Sequence, residues 1–223
     1  MKRIVILLLA LALSVLPLFA LAEGAPTVTV NGTATVSVPA DFAKVNLAVE
    51  TNAPAVADAL SENADRMAQV LAALEEAGIA AGDIVTDRFY VYTQYDYTGE
   101  NHTYTVTNAL TVTVRALSDV GRLIDVALSA GANACNGITF YSDAAAQAND
   151  EALTAAIAEA RRKAELAAVA AGLTLGDLVS LNESAGSYGG VRLAKAADMA
   201  ASTAIMPDGL DFTANVSVTF ELK

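Results

Sequence analysis

Two spacings of apolar residues take turns along the chain. From 27 to 38 ("TVTVNGTATVSV") and again from about 41 to 51, apolar and polar positions alternate with a period of two, which predicts half-buried strands. The spacing then changes. Val56, Leu60, Asn63 or Ala64, Met67, Val70 or Leu71, and Leu74 recur at three- and four-residue steps and form one apolar face of a helix over about 55–77. Asn52 is placed to cap this helix, with Pro54 in its first turn. Gly78 stops it, because the residue past the last turn often takes a left-handed conformation that glycine reaches without penalty. Gly82-Asp83 makes a turn, strands follow over about 83–97 and 103–117, and a short connecting helix covers about 118–130.

The phrase that ends the first helix then returns. "AGIAAGDIVT" (77–86) and "AGLTLGDLVS" (171–180) align without a gap, and each follows a long alanine-rich helical stretch. Leu153, Ile157, Ala160, Ala164, Ala167 and Ala171 line the second helix over about 146–171, Gly172 stops it, and Gly176-Asp177 turns into the next strand. The flanks match as well: "TVTNALTVTV" (105–114) and "FTANVSVTF" (212–220) are both alternating strands rich in Thr and Val. The pattern predicts an α+β fold from two tandem strand-helix-strand-strand units, about 41–117 and 135–222. The second unit is read as about 135–142, 146–171, 177–187 and 209–222. The sheet is expected to be mainly antiparallel, with the long Ala-rich helices packed on it.

The first 22 residues stand outside this fold. "MKRIVILLLALALSVLPLFALA" has a basic start at Lys2 and Arg3, an apolar run from Ile4 to Phe19, and the small-x-small site Ala20-Leu21-Ala22, so it reads as a signal peptide. Cleavage after Ala22 is expected, with a mature domain over 23–223 that is exported to the periplasm, cell envelope or medium; retention as an uncleaved anchor is the alternative. No later stretch is apolar over a spanning length, so no stable membrane span is expected after cleavage. Cys135 is the single cysteine and can form no internal disulfide, which leaves stability to packing. The formal charge of −12 becomes −14 when Lys2 and Arg3 leave with a segment that contains no acid (−12 − 2). Such an acidic surface, without a basic stripe, excludes nucleic acid as a partner.

Four phrases carry a family resemblance: "VTVNGTATVSVPADFAKVNLAVET", "ALSENADRMAQVLAALEEAGIAAGDIVT", "SDVGRLIDVALSAGANACNGITF" and "IMPDGLDFTANVSVTFEL". Together they resemble the SIMPL-domain proteins, a bacterial cell-envelope family of unknown function. The resemblance covers nearly all of the mature chain, as a series of spaced phrases. Gly32-Thr33-Ala34 stands where the family has Gly-x-Gly, and Pro39-Ala40-Asp41 where it has Pro-Asp; both departures touch turns. The resemblance implies an exported α+β protein, sometimes linked to stress tolerance and often self-associating, with no catalytic site to carry over.

The inventory of reactive residues agrees with that implication. His102 is the only histidine and falls at the expected hairpin tip "YTGENHTY". No Gly-x-Ser-x-Gly elbow, no zinc-type histidine pair and no phosphate loop is present. Cys135 begins a strand and reads as a small buried hydrophobe. Asp83 and Asp177 hold equivalent places in the two repeats, where turn aspartates usually bond their own backbone. No catalytic residue, metal site or cofactor is expected. The unusual composition is "RFYVYTQYDYTGENHTYTV": Tyr90, Tyr92, Tyr95, Tyr97 and Tyr104 crowd one hairpin and offer a candidate binding surface, although strand propensity alone also accounts for them. The Gly-, Ala- and Ser-rich stretch over 184–208 reads as a long loop in the second hairpin. The expectation is a non-catalytic envelope protein that self-assembles into a homo-oligomer or binds an unknown envelope partner. The alternative is a small-ligand or stress-sensing protein using the Tyr-rich hairpin, the 184–208 loop or Cys135.

Overall fold

A computed structural model of the chain describes residues 25–99, 101–193 and 207–223. The expected signal segment, and residues 194–206 of the expected loop, lie outside the described residues. The elements run β1 (Thr27–Val38), β2 (Phe42–Ala53), α1 (Val56–Glu76), β3 (Ile84–Tyr95), β4 (His102–Val114), α2 (Val120–Ser129), β5 (Ala134–Tyr141), α3 (Ala145–Ala170), β6 (Leu175–Leu193) and β7 (Pro207–Leu222). The fold is α+β. Its strands form a four-stranded sheet in the order β3-β4-β2-β5 and a three-stranded sheet in the order β1-β7-β6, with every pairing antiparallel.

Alternation along the strands sends the apolar set of each sheet to one face, and a helix closes over it. Val45, Leu47 and Val49 of β2, with Leu110, Val112 and Val114 of β4, meet Met67, Val70 and Leu74 of α1 and Leu123, Ile124 and Ala127 of α2. In the other sheet, Ala214, Val216, Val218 and Phe220 of β7 meet Ala152, Ala156, Ala160 and Ala164 of α3. The second sheet is therefore covered by alanine alone along its centre. With no bulk between them, strand and helix backbones come close. A Cβ placed on Gly32 of β1 would lie 2.0 Å from the carbonyl oxygen of Ala156. The alanine stripe is thus consumed inside the chain.

The recurring Ala-Gly phrase is a helix-ending device. Gly78 (φ +99°) and Gly172 (φ +73°) follow α1 and α3, and each adopts the left-handed conformation that favours glycine. Ile79 N–H donates back to Leu74 O (3.0 Å) and Gly78 N–H to Glu75 O (3.0 Å); Leu173 N–H to Ala168 O (2.9 Å) and Gly172 N–H to Val169 O (3.0 Å) repeat the pattern. These are Schellman closures, which satisfy the last carbonyls of a helix. Ala130-Gly131 after α2 closes in the same way, with Ala132 N–H on Ala127 O at 3.0 Å.

Three local expectations are corrected. Asn52 does not cap α1; it lies within β2, where its amide donates to the hydroxyls of Thr103 (2.9 Å) and Thr105 (2.8 Å), and the N-cap position is Ala55 without a side-chain bond. The strand at 135–142 does not pair with the other strands of its expected unit: β5 pairs with the open edge of β2, while β1 takes the place beside β7 in an unbroken register from Thr27↔Glu221 to Val38↔Leu210. The strands of the second hairpin run further than expected, to Leu193 and from Pro207, which shortens the connection between them.

Candidate functional site

In the four-stranded sheet, the helices cover the face that carries the aliphatic residues of β2 and β4. The opposite face carries Lys44, Asn46, Ala48, Glu50 and Asn52 on β2 and alternate threonines on β4, and no described helix lies on it. The hairpin β3-β4 divides the five candidate tyrosines between the two faces. Tyr90 and Tyr92 pair across from Thr107 and Thr105 and stand on the uncovered face, their rings stacked with centroids 5.7 Å apart. Tyr95 and Tyr104 belong to the helix side, where His102 lies between them at 5.9 Å and 5.4 Å. Tyr97 sits fully exposed in the turn after β3. A five-residue step from 90 to 95 reverses the face in any strand, so the cluster was divided by its own spacing.

A groove of about 520 Å³ crosses the lower half of the uncovered face. Its floor is Asn46. Asn46 Nδ2 donates to Asp87 Oδ2 of β3 (3.1 Å), and Asn46 Oδ1 accepts from Asn136 Nδ2 of β5 (2.9 Å). Both partners are bulge residues: the β3–β4 register skips Asp87, and the β2–β5 register skips Asn136. The two bulges flank the same level of the sheet, the Leu47–Leu110 pair of the central strands. A bulge bends its strand and re-aims a side chain. Here two of them, on opposite edges, bring a carboxylate and an amide onto one asparagine. Tyr141 ends the groove, its ring stacked on Phe42 (centroids 5.3 Å apart) with Lys44 Nζ 5.1 Å from its centroid.

None of Asn46, Asp87 or Asn136 was picked out from the sequence. They are single polar residues far apart in the chain, and no local pattern marks them.

The other singled-out residues fall elsewhere. Cys135 is exposed, not buried, because the bulge at Asn136 and the edge position of β5 leave it outside the core. Asp83 and Asp177 are not brought together. Each pairs with a cation just past the end of its neighbouring strand: Arg115 to Asp83 at 2.9 Å and Lys223 to Asp177 at 2.8 Å. The hydrogen bond from Lys223 holds the Asp177 carboxyl below its ordinary range and pushes the Lys223 ammonium up. Gly82 lies in the 3-10 turn Ala81–Asp83 with open space around it, whereas Gly176 lies in β6 against the backbone of Glu221. The matched phrases thus share their helix stop and their ion pair but not their second glycine. No group of three or more His, Cys, Asp and Glu side chains suited to a metal converges among the described residues.

The hairpin tip carries the clearest shifted acid. Asn101 Nδ2 (2.7 Å) and Thr98 Oγ1 (2.8 Å) donate to the Asp96 carboxylate and, with backbone amides assisting, lower its pKa from 3.8 to about 2. A depressed folded-state pKa stabilises the turn above the unfolded value and ceases to do so as pH falls through the folded one. The tip is therefore expected to stay ordered down to about pH 4 and to loosen between about pH 4 and pH 2. Amide exchange or chemical shifts of Tyr97 and Gly99 would report this; signals that do not move across that window would contradict the assignment.

Two antiparallel sheets, each closed by helices on one side and open on the other, define a compact α+β scaffold that offers polar sheet faces. The chain belongs to the SIMPL family, described as proteins of unknown function (DUF541), which it matches over residues 28–220. It is similar to the 26 kDa periplasmic immunogenic protein of Brucella melitensis biotype 1, at 29% identity over 211 residues that span 88% of this chain and 84% of the relative. It is likewise similar to the uncharacterized protein YggE of Escherichia coli K12, at 29% identity over 206 residues that span 89% and 84% of the two.

Proposed function

We propose that the protein is an exported, non-catalytic component of the cell envelope that works by assembling with copies of itself. Export is supported by the three-part start of the chain and by likeness to a relative named as periplasmic. No helix among the described residues is long and apolar enough to cross a membrane. The observation that carries the assembly reading is the pair of edge strands β3 and β6. Each lies at an edge of its sheet, where the covering helix leaves much of the strand open. Phe89 and Val91 on the helix side of β3 are 55% and 40% exposed, and Leu178, Val179 and Leu181 of β6 are exposed as well. An edge strand offers unpaired backbone groups, and chains that stay monomeric shield such edges with charge, bulges or short length. Both edges carry register breaks, yet both still leave apolar side chains exposed, and a second copy supplies what would cover them. β3 and β6 differ, so pairing one with the other is heterologous and gives a closed ring when the rotation closes.

Light scattering coupled to size exclusion is the test. A mass that is a multiple of the mature chain is expected at micromolar concentration, and Phe89→Lys with Leu181→Lys should lower it while far-UV circular dichroism stays unchanged. A single-chain mass across a dilution series would remove the assembly reading.

A further inference from the structure

The geometry points to the uncovered face of the four-stranded sheet as a binding face for a neutral oligosaccharide laid along the strands. Three independent features meet there. The first is the bridge Asp87–Asn46–Asn136, built by a bulge in each edge strand at one level. Two register breaks that converge on a single amide are more than edge protection requires, since either bulge alone would twist its edge away. Asp87 meets no cation within ion-pair distance among the described residues, and only its Oδ2 is engaged, by a neutral amide. Its second oxygen remains for the hydroxyls of a ligand, and a charged acceptor binds hydroxyls more strongly than a neutral one.

The second feature is the stacked pair Tyr90 and Tyr92 at the other end of the face, 38% and 46% exposed. Flat aromatic surface with a hydroxyl handle packs against the C–H face of a pyranose while its polar rim stays wet. From Thr105, opposite Tyr92, to Thr113, which lines the groove, is eight residues of β4, or roughly 27 Å at the rise of an extended strand. That length suits several sugar units and exceeds what one small molecule needs. A second hollow of about 260 Å³, lined by Asn52, Gln94 and Thr103, prolongs the face toward the hairpin tip.

The third feature is what lies between these ends. The Thr107 hydroxyl, on the face beneath Tyr90, is buried and makes no hydrogen bond to the described residues. Around it Ala48, Thr105 and Ala109 are buried as well, with Glu50 and Arg88 beside them in the register, so a ligand would rest on the longer side chains of β2 and β3; no large aliphatic pocket for a peptide side chain opens there among the described residues. Backbone groups of β2 and β4 are used in the sheet, so an added strand has nothing to pair with on this face. A polyanion is disfavoured by the net charge of −12. Hydroxyls, amides and aromatic rings without a dominant charge match an uncharged, hydroxyl-rich chain. This face does not include Phe89 or Leu181, so the inference stands or falls separately from self-assembly.

The test is titration of the mature chain with chitohexaose and with cellohexaose, followed by calorimetry and by amide chemical shifts. Binding of at least one is expected, with shifts confined to β2, β3, β4 and β5 residues of the uncovered face. Tyr92→Ala and Asn46→Ala should each weaken binding roughly tenfold, the loss of about one good hydrogen bond or stacking contact. Tyr92→Phe should restore most of the affinity, and Val169→Ser on α3, outside both surfaces, should leave it unchanged. Tyr92 is exposed, so its replacement tests the face even where Asn46→Ala disturbs the sheet. No response to either hexasaccharide at its solubility limit, binding that survives both alanine substitutions, or stronger binding of an acidic or basic hexapeptide would each overturn the assignment.

Discussion

Gly32→Val is expected to destabilise the protein by at least about 3 kcal/mol, at or beyond the upper end of ordinary overpacking. The reason is the identity of the atoms in the way. A Cβ on Gly32 would sit 2.0 Å from the carbonyl oxygen of Ala156 and 2.9 Å from both the amide nitrogen and the Cβ of Ala160. Those are backbone and first side-chain atoms of α3, and no rotamer change moves them. The helix must lift from β1, and the contacts of its alanine stripe with Val216, Val218 and Ala214 loosen together. For a domain of this length the cost corresponds to a fall of roughly 6–12 °C in Tm. Gly32→Ala should show most of the effect, because the first added carbon already clashes. Gly82→Ala is the control, since nothing lies within 4 Å of its Cβ position. Thermal denaturation followed by circular dichroism decides the matter. A Gly32→Val protein melting within about 2 °C of wild type would show that α3 does not approach β1 this closely.

The second large effect is expected at Asn63, 1% exposed on the face of α1 that meets the sheet. Its amide donates to the carbonyls of Val49 (2.9 Å) and Val106 (3.3 Å), and so ties the helix to both central strands. Asn63→Asp keeps the shape and reverses the chemistry. Two donors become acceptors against two carbonyl oxygens, and a charge is buried without a partner, which costs about 3–5 kcal/mol when fully expressed. The introduced carboxyl escapes part of this by remaining protonated, so its folded-state pKa is raised above the unfolded value of about 3.9. A raised acid stabilises the fold below the unfolded pKa and loses that contribution as pH rises toward the folded one. The variant should therefore be nearest to wild type at about pH 4 and furthest from it at neutral pH. Urea unfolding at both pH values measures the difference. Equal stability of variant and wild type at pH 7 would refute the tie between α1 and the sheet. Asn63→Ala, which removes the donors without adding a charge, should cost about 1–3 kcal/mol with little pH dependence.

Both positions show where reading the chain residue by residue reaches its limit. Asn63 falls on the apolar stripe of α1, so its burial was legible from spacing, but its partners are carbonyls of strands 14 and 43 residues away. Gly32 was visible as the first glycine of a family phrase, while its neighbour in space is a helix more than 120 residues on. The tyrosine cluster was legible as composition, and its division between two faces as parity. The Asp87–Asn46–Asn136 bridge was not legible at all, because a bulge leaves no mark on hydrophobic alternation until the partner strand is known.

What the sequence by itself determined is local. Period-two and period-3.6 patterns set which segments are strand and which are helix, since burying one face is the only use of such spacing. The Ala-Gly phrases set where the helices end, since the left-handed closure depends on a single residue. Tertiary structure decided the rest. Strand 134–141 alternates as well for one sheet as for the other; the open edge of β2, and the unbroken register of β1 with β7, settle its partner. Cys135 turns outward because that partner forces a bulge beside it. Alanines 152, 156, 160 and 164 could line an oligomer seam or an internal one, and only the proximity of Gly32 closes the choice. In each case the local pattern specifies that a face or an edge must be buried, and the competition among surfaces of the whole chain selects what buries it.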